Sequence, residues 1–408
     1  MAYAEKVAKI LQREIKEAQS GILLQVLLLN MDEQNILIED TTPLIAKFYD
    51  RISQACKQVP DHKIVKTTDP AKVYIVLGKN TKDIKKIAHS IYAHMQEYTD
   101  SDFPETYLRC SVGSIKFRQT SEDSNGKVIE FSASKLLSLL EYSMQRSGHP
   151  PYHCYEDHPV DIEKIRNGNI NLNQLKKSIS EGRVKFMYQP VIDRISGDIE
   201  YYECLLRAPD IHNKFVSAGE VIADAESKGL INIIDFAVIE MVIGELSRDK
   251  DVTLSVNISN MGVLDKNLLK RIEELLQKHD VANRLIIEIT ETSLNRDFAN
   301  TQKFINVLHG YGCLFAIDDF GSGFTSFKQM LGLSIDIIKI DGSYIRDMLV
   351  NNHSKAFVKA LVGLAGELGI KTVAEFVENN KVAQLLVELK IDAMQGNFFA
   401  EAMKNRIS

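Results

Sequence analysis

Leu314–Asp341 reads LFAIDDFGSGFTSFKQMLGLSIDIIKID. It holds two short apolar runs: Leu314–Asp318 ends on a carboxylate, and Ile335–Ile340 carries Lys339 near its end. The same rhythm recurs on both sides. Val184–Val191, Tyr201–Arg207, Thr253–Asn257, Leu285–Ile289, Lys371–Ala374 and Ile391–Met394 are further apolar or β-branched runs, and segments of helical period alternate with the runs. Such alternation specifies βα units and a parallel sheet. Eight units within residues 158–408 suit a (β/α)8, TIM-like barrel, so the predicted class is α/β.

Each run carries a polar residue within it or at its C-terminal end: Gln189, Glu203, Asn257, Glu288, Asp318, Lys339, Glu375 and Gln395. Strands that all point one way would gather these side chains at the mouth where barrel active sites lie. Capping explains one such residue. It does not explain eight in register.

The expected ring is rich in carboxylates: Glu203, Glu288, Asp318 and Glu375, joined by Asp319. Like charges this close raise one another's pKa values or drive the site apart unless cations compensate. Carboxylate and amide oxygens suit Mg²⁺, Mn²⁺ or Ca²⁺, and the absence of histidine from the ring argues against zinc. The adjacent pair Asp318–Asp319 suggests two metals, an arrangement that activates water and steadies in-line displacement at phosphorus. Lys339 would add a point charge near the attacked phosphate or the water. Gly321 and Gly323 make the loop after the pair a candidate gate.

Composition bounds the rest. The chain has 408 residues, 45% hydrophobic and 25% charged, which is globular rather than disordered. A formal charge of −6 argues against a nucleic-acid polymer as partner. No apolar run is long enough to span a bilayer, and no secretory signal is visible. The five cysteines are scattered without a CxxC pair, so a reducing, cytoplasmic setting is expected. The sharpest break is Gly148–Val160, GHPPYHCYEDHPV, which places the domain boundary near Asp157. Residues 1–157 mix strand-like runs (Leu23–Asn30, Val73–Leu77, Thr106–Phe117) with helical patterns (Glu5–Ala18, Thr42–Gln58, Thr81–Tyr98, Ser134–Arg146), an α+β or α/β domain. The helix Glu5–Ala18 is expected to pack on its own domain or to pair in a dimer. His149, His153 and His158 are expected in an exposed linker, and the basic run Lys82–Lys86 on a solvated face. Ser217 and Ser259 lack a histidine partner, and Cys204 and Cys313 read as small core residues.

These motifs are recognisable together. Over Asp161–Arg406 the chain resembles the EAL domain, the family of cyclic di-GMP phosphodiesterases. YQPV (Tyr188–Val191), ECLLR (Glu203–Arg207), VNIS (Val256–Ser259), EITE (Glu288–Glu291), DDFGSG (Asp318–Gly323), KID (Lys339–Asp341), AEFVE (Ala374–Glu378) and QGNFF (Gln395–Phe399) follow in family order. The resemblance implies that Glu203, Asn257, Glu288 and Asp318 hold a first metal and Asp318, Asp319 and Glu375 a second. It implies that Lys339 contacts the catalytic water, and that Gln189, Arg207, Glu378 and Gln395 surround the dinucleotide. Glu291 would anchor the loop through a partner such as Ser322. There are departures: Cys204 for alanine, Phe376 for the usual glycine, Asn397 for an aromatic, and a strand exit, RAPDIHNKF, without the usual aromatic and histidine.

The first part resembles a degenerate GGDEF domain. LLLNMDE (Leu27–Glu33), SVGSI (Ser111–Ile115) and Leu136–Met144 carry the likeness, with Asp32 read as a solvated turn residue. TTDPAKVYIVL (Thr67–Leu77) stands where the signature should be, and Pro70 and Lys72 supply neither its glycine turn nor its acidic pair. The expectation is therefore a cytoplasmic phosphodiesterase. It would cleave cyclic di-GMP to pGpG with two Mg²⁺ or Mn²⁺ ions, under an inactive GGDEF-like domain, as a homodimer taking input from a protein partner. The alternative is a receptor that binds cyclic di-GMP without cleaving it. A scaffold that binds no nucleotide ranks below both.

Overall fold

A computed structural model of the chain describes residues 2–37, 39–57, 59–79, 84–96, 108–118, 120–122, 128–130, 132–210, 212–291, 297–321 and 332–407. The chain divides into two compact units, Met1–Ile162 and Glu163–Ser408. Among the described residues no helix is long and apolar enough to cross a membrane.

The first unit runs α1 (Ala2–Ala18), β1 (Ser20–Leu28), α2 (Met31–Leu37), α3 (Thr42–Cys56), β2 (His62–Lys66), β3 (Lys72–Gly78), α4 (Ile84–Gln96) and β4 (Cys110–Arg118). A small hairpin, β5 (Thr120–Glu122) and β6 (Val128–Glu130), precedes α5 (Ala133–Arg146) and β7 (Tyr152–Cys154). Five strands form one sheet in the order β2-β3-β1-β4-β7. β1 reads as a nearly continuous apolar run because helices cover both of its faces. Leu23 faces α1 and α5, among Leu11, Ile15, Leu136 and Leu140. Leu24 and Val26 face α3 and α4, among Phe48, Ile52 and Ile91. Each fully buried leucine or isoleucine contributes ~1.5–3 kcal/mol. α1 thus packs on its own unit.

Two expectations change here, and one strand was not foreseen. The histidine-rich stretch is not an exposed linker throughout: Tyr152–Cys154 is β7, paired parallel to β4, and His153 is 2% exposed, whereas His158 is exposed as expected. Pro150 and Pro151 obscured it, and they are tolerated because β7 lies at the sheet edge. β2, HKIVK, is the opposite edge, and its polar residues hid the strand signal. The stretch carrying Asp32 and Glu33 is not a turn but the acidic first turn of α2, where both side chains are exposed. Lys82 of the basic run lies outside the described residues.

The second unit begins one residue into α6 (Ile162–Ser180) and closes eight strands into a barrel. In order around it stand β8 (Lys185–Asp193), β9 (Ile199–Pro209), β11 (Leu254–Asn257), β12 (Leu285–Thr290), β13 (Leu314–Phe320), β14 (Ile337–Ile340), β15 (Lys371–Ala374) and β16 (Ala393–Met394). β10 (Phe215–Ser217) adds to the outside edge of β9. Around the barrel run α7 (Gly219–Ser227), α8 (Asn232–Arg248), α9 (Asn260–Leu264), α10 (Lys266–Lys278), α11 (Phe298–Gly310), α12 (Gly342–Asp347), α13 (Asn352–Leu368) and α14 (Asn380–Glu388). Their apolar faces meet the outward strand residues in one core that includes Val238, Val256, Ile287, Phe304, Phe315 and Leu361.

The barrel departs from the all-parallel expectation at β8. That strand runs antiparallel to both β9 and β16. No helix separates β8 from β9; a tight turn does. Asp193 Oδ1 accepts from the N–H groups of Ile195 and Ser196 in that turn, at 2.8 and 2.7 Å. A hairpin connection can join only antiparallel strands.

Candidate active site

Period-two alternation builds the site. Val191, Tyr201, Ile286, Ala316, Ile337, Val373 and Ala393 form an apolar layer inside the barrel. Two residues further along the parallel strands, on the same face, stand Glu203, Glu288, Asp318, Lys339, Glu375 and Gln395. Asn257 follows Ser255 by the same step. On β8 the step runs backwards, from Val191 to Gln189, because the strand is reversed. Gln189 is the direct cross-strand partner of Glu203.

Lys339 occupies the centre with no solvent exposure. Its Nζ lies 2.7 Å from Glu288 Oε2, 3.0 Å from Glu375 Oε1, 3.1 Å from Asp318 Oδ1 and 3.4 Å from Glu203 Oε2. Burial alone would drive the ammonium toward neutrality. The carboxylates of Asp318, Glu203, Glu288 and Glu375 overcome this and hold its pKa well above the ordinary value. Glu203 Oε1 accepts from Asn257 Nδ2 at 2.9 Å, and its Oε2 from Gln395 Nε2 at 2.6 Å. Burial opposes the Glu203 charge, but Lys339 and these amides keep the carboxyl below its usual range. Glu288 goes the other way: burial outweighs Lys339 and pushes it up to about 8. Burial also raises Glu375 well above the carboxylate range.

Adjacent residues on a strand normally face opposite sides, yet Asp318 and Asp319 both reach the mouth. The cause is local. The β13–β14 register shifts between Ile317 and Phe320, and Asp319 takes φ +53°. Oxygens of Asp318, Asp319 and Glu375 thereby lie within 4.8 Å of one another. Burial, then Asp318 and Asp341, push Asp319 up to about 6.

The donor set fits hard divalent cations. It consists of carboxylate and amide oxygens, and Glu288 Oε1 is buried with no hydrogen-bond partner among the described residues. Clustered acids with raised pKa values are what a cation would discharge.

Gln189 and Gln395 join the ring through a 3.3 Å contact, Gln395 Nε2 donating to Gln189 Oε1. Arg207 stands further along β9, where burial lowers its pKa against the opposing pull of Glu203. Glu378 is exposed on the loop after β15, and no contact of it with the ring is found among the described residues. Glu291 holds the residue that follows β13: Gly321 N–H donates to Glu291 Oε2 at 2.9 Å. Ser322 lies outside the described residues. Gly321 takes φ +101°, and a Cβ there would stand 2.8 Å from Tyr344 Cε2. Phe376, at φ +52°, sits beneath the Arg346 guanidinium at 4.8 Å and covers Gly342.

Sequence reasoning missed three residues here. Tyr344 donates to Gly321 O at 3.0 Å. Asp341, read only as part of KID, faces Asp319 and caps α12. Tyr201 lies one layer below the ring, its buried hydroxyl without a hydrogen-bond partner among the described residues. The two-residue step back from Glu203 would have located it.

Residues 172–402 match the family model described as EAL domain. The cyclic di-GMP phosphodiesterase PdeF of Escherichia coli is 30% identical over 230 residues, 55% of this chain and 30% of that protein. The chain spans about 30% of the length of such curated relatives. A solved complex of the PaMucR phosphodiesterase with c-di-GMP is 27% identical, with TM-score 0.53, covering 57% of this chain and 96% of that one. The apo S helix-GGDEF-EAL structure of Vibrio cholerae LapD shares the fold over 97% of this chain and 92% of its own, at 20% identity and TM-score 0.52. With more than half of its residues matched by one family model, the chain belongs to the EAL-domain family.

Proposed function

We propose that the second unit hydrolyses one phosphodiester of cyclic di-GMP to linear pGpG. The observation that carries this is the convergence of Glu203, Glu288, Asp318 and Glu375 on one buried lysine, with Asp319 drawn in by the bulge. Glu203, Asn257, Glu288 and Asp318 would hold one Mg²⁺ or Mn²⁺, and Asp318, Asp319 and Glu375 a second. Such ions activate water and neutralise charge at phosphorus.

The chain supplies the rest. Lys339 keeps a fixed positive charge beside the reacting oxygens, in a site dry enough to strengthen it. The Gln189 and Gln395 amides offer donors and acceptors to the dinucleotide. Arg207 presents a planar fork matched to phosphate. Glu291 holds Gly321, just after the two aspartates, through its backbone N–H.

The first unit, in this reading, is a GGDEF-like regulatory domain without cyclase activity, and the protein works as a homodimer in the cytoplasm under a protein partner. Supporting the silent domain, Pro70 and Lys72 replace the signature at the entry to β3.

The test is turnover of cyclic di-GMP with Mg²⁺ or Mn²⁺, products resolved by chromatography, with EDTA and Glu203→Ala controls. Metal-dependent pGpG is expected. Bound ligand with no product would replace the enzyme by a receptor.

A further inference from the structure

Asp235 lies on α8 and is 3% exposed. A carboxylate so deep requires donors. It finds two on one residue: Ser259 N–H donates to Oδ1 at 3.1 Å, and the Ser259 hydroxyl to Oδ2 at 2.6 Å. Ser259 Oγ in turn accepts from Gly262 N–H at 3.0 Å and so caps α9. A Cβ on Gly262 would stand 2.5 Å from Asp235 Oδ2, so only glycine admits the carboxylate this close.

Two residues before Ser259 is Asn257, whose Nδ2 donates to Glu203 Oε1 at 2.9 Å. Between them, Ile258 N–H donates to Glu288 O at 3.0 Å. The segment 257–259 is therefore held from both sides, toward β12 through Ile258 and toward α8 through Asp235.

We infer that Asp235 is a positioning residue for the metal centre: through Ser259 it fixes the turn that aims Asn257 at Glu203. The inference rests on the metal-binding reading of the ring. Burial pushes the Asp235 carboxyl up to about 6, so keeping it ionised at neutral pH opposes folding. An amide there relieves that cost and still offers Ser259 an acceptor. What the carboxylate supplies is the geometry of the turn.

That separation gives the test. Mn²⁺ binding to the full chain is titrated by the EPR signal of the free ion, which needs no turnover, beside melting temperatures without metal. Asp235→Asn is expected to melt no lower than the wild type yet bind Mn²⁺ about tenfold more weakly, the size typical of groups that orient ligands. Ser259→Ala should weaken binding too, and the double variant should lose no more than the worse single one. Mn²⁺ affinity of Asp235→Asn within about twofold of wild type, or additive losses in the double variant, would overturn the inference. If Asp235→Asn does not fold, Ser259→Ala decides alone, and unchanged affinity overturns it. A wild type that binds no Mn²⁺ is a different result: it removes the metal reading itself, and this inference with it.

Discussion

Lys339 Nζ stands 2.7 Å from Glu288 Oε2, and neither side chain has any solvent exposure. One ammonium has three protons to give, and four carboxylates surround it here. The cluster carries excess negative charge that a single lysine only partly offsets. Removing one partner of a buried ion pair costs about 3–5 kcal/mol. Metal-free Lys339→Met is expected to lose stability of that order in urea unfolding at neutral pH. Excess Mn²⁺ should recover much of it, because cations take over the compensation. Equal losses with and without Mn²⁺ would show that the ion does not take over the compensation that Lys339 supplies.

Glu203 is the hub of the ring's hydrogen bonds, accepting from Asn257 and Gln395 and facing Lys339. Glu203→Gln keeps the shape but removes the charge. Its turnover of cyclic di-GMP is expected to fall by about 100-fold or more. Single-turnover chromatography measures this directly. A variant that keeps wild-type turnover would remove Glu203 from the chemistry.

Phe376 holds φ +52° where a glycine would be free of strain. A left-handed non-glycine residue costs roughly 1–2 kcal/mol. Glycine ordinarily destabilises relative to alanine. At this position the order should reverse, with Phe376→Gly more stable than Phe376→Ala by about 1 kcal/mol. Chemical denaturation of the two variants decides it, and the usual order would show that Phe376 is unstrained.

His153 gives the first unit a pH dependence. Burial, then the stacked ring of His158 at 5.6 Å, depress its pKa below the ordinary value, with Asp157 opposing. The unfolded chain therefore takes up the proton more readily than the folded one. Stability is full above the ordinary histidine pKa of about 6.5 and is lost as pH falls through the depressed folded value. Hydrogen exchange of the β7 and β4 amides should speed up between about pH 7 and 5 beyond the intrinsic chemistry. His158→Gln should lessen the effect, and an unaltered pH profile in that variant would exclude the His158 contribution.

How far the sequence could be read differs by element. Residues 373 and 375 lie on one face because strands have period two, and so do 337 and 339. Eight polar residues, each two positions from an apolar interior residue or from Ser255, were therefore visible as a ring before any fold was known. What misled was direction. β8 carries the same apolar pattern whether it runs with or against its neighbours, since alternation has no polarity. Only the hairpin to β9 sets it. β7 was lost for a related reason: its prolines and histidines suggest a linker, and only pairing with β4 makes the segment a strand.

The sequence by itself determined the barrel, the identity of the ring residues and the oxygen-only donor set, because these follow from local periodicity and residue chemistry. Three things needed the tertiary structure. The bulge at Asp319 brings a second adjacent carboxylate inward, and it depends on how β13 registers against β14. Gly321 N–H donates to Glu291, a backbone contact that no side-chain pattern records. Asp235 meets Ser259 across 24 residues of chain because α8 packs back over the barrel. Contacts distant in sequence are set by packing, and packing is not written in any local pattern.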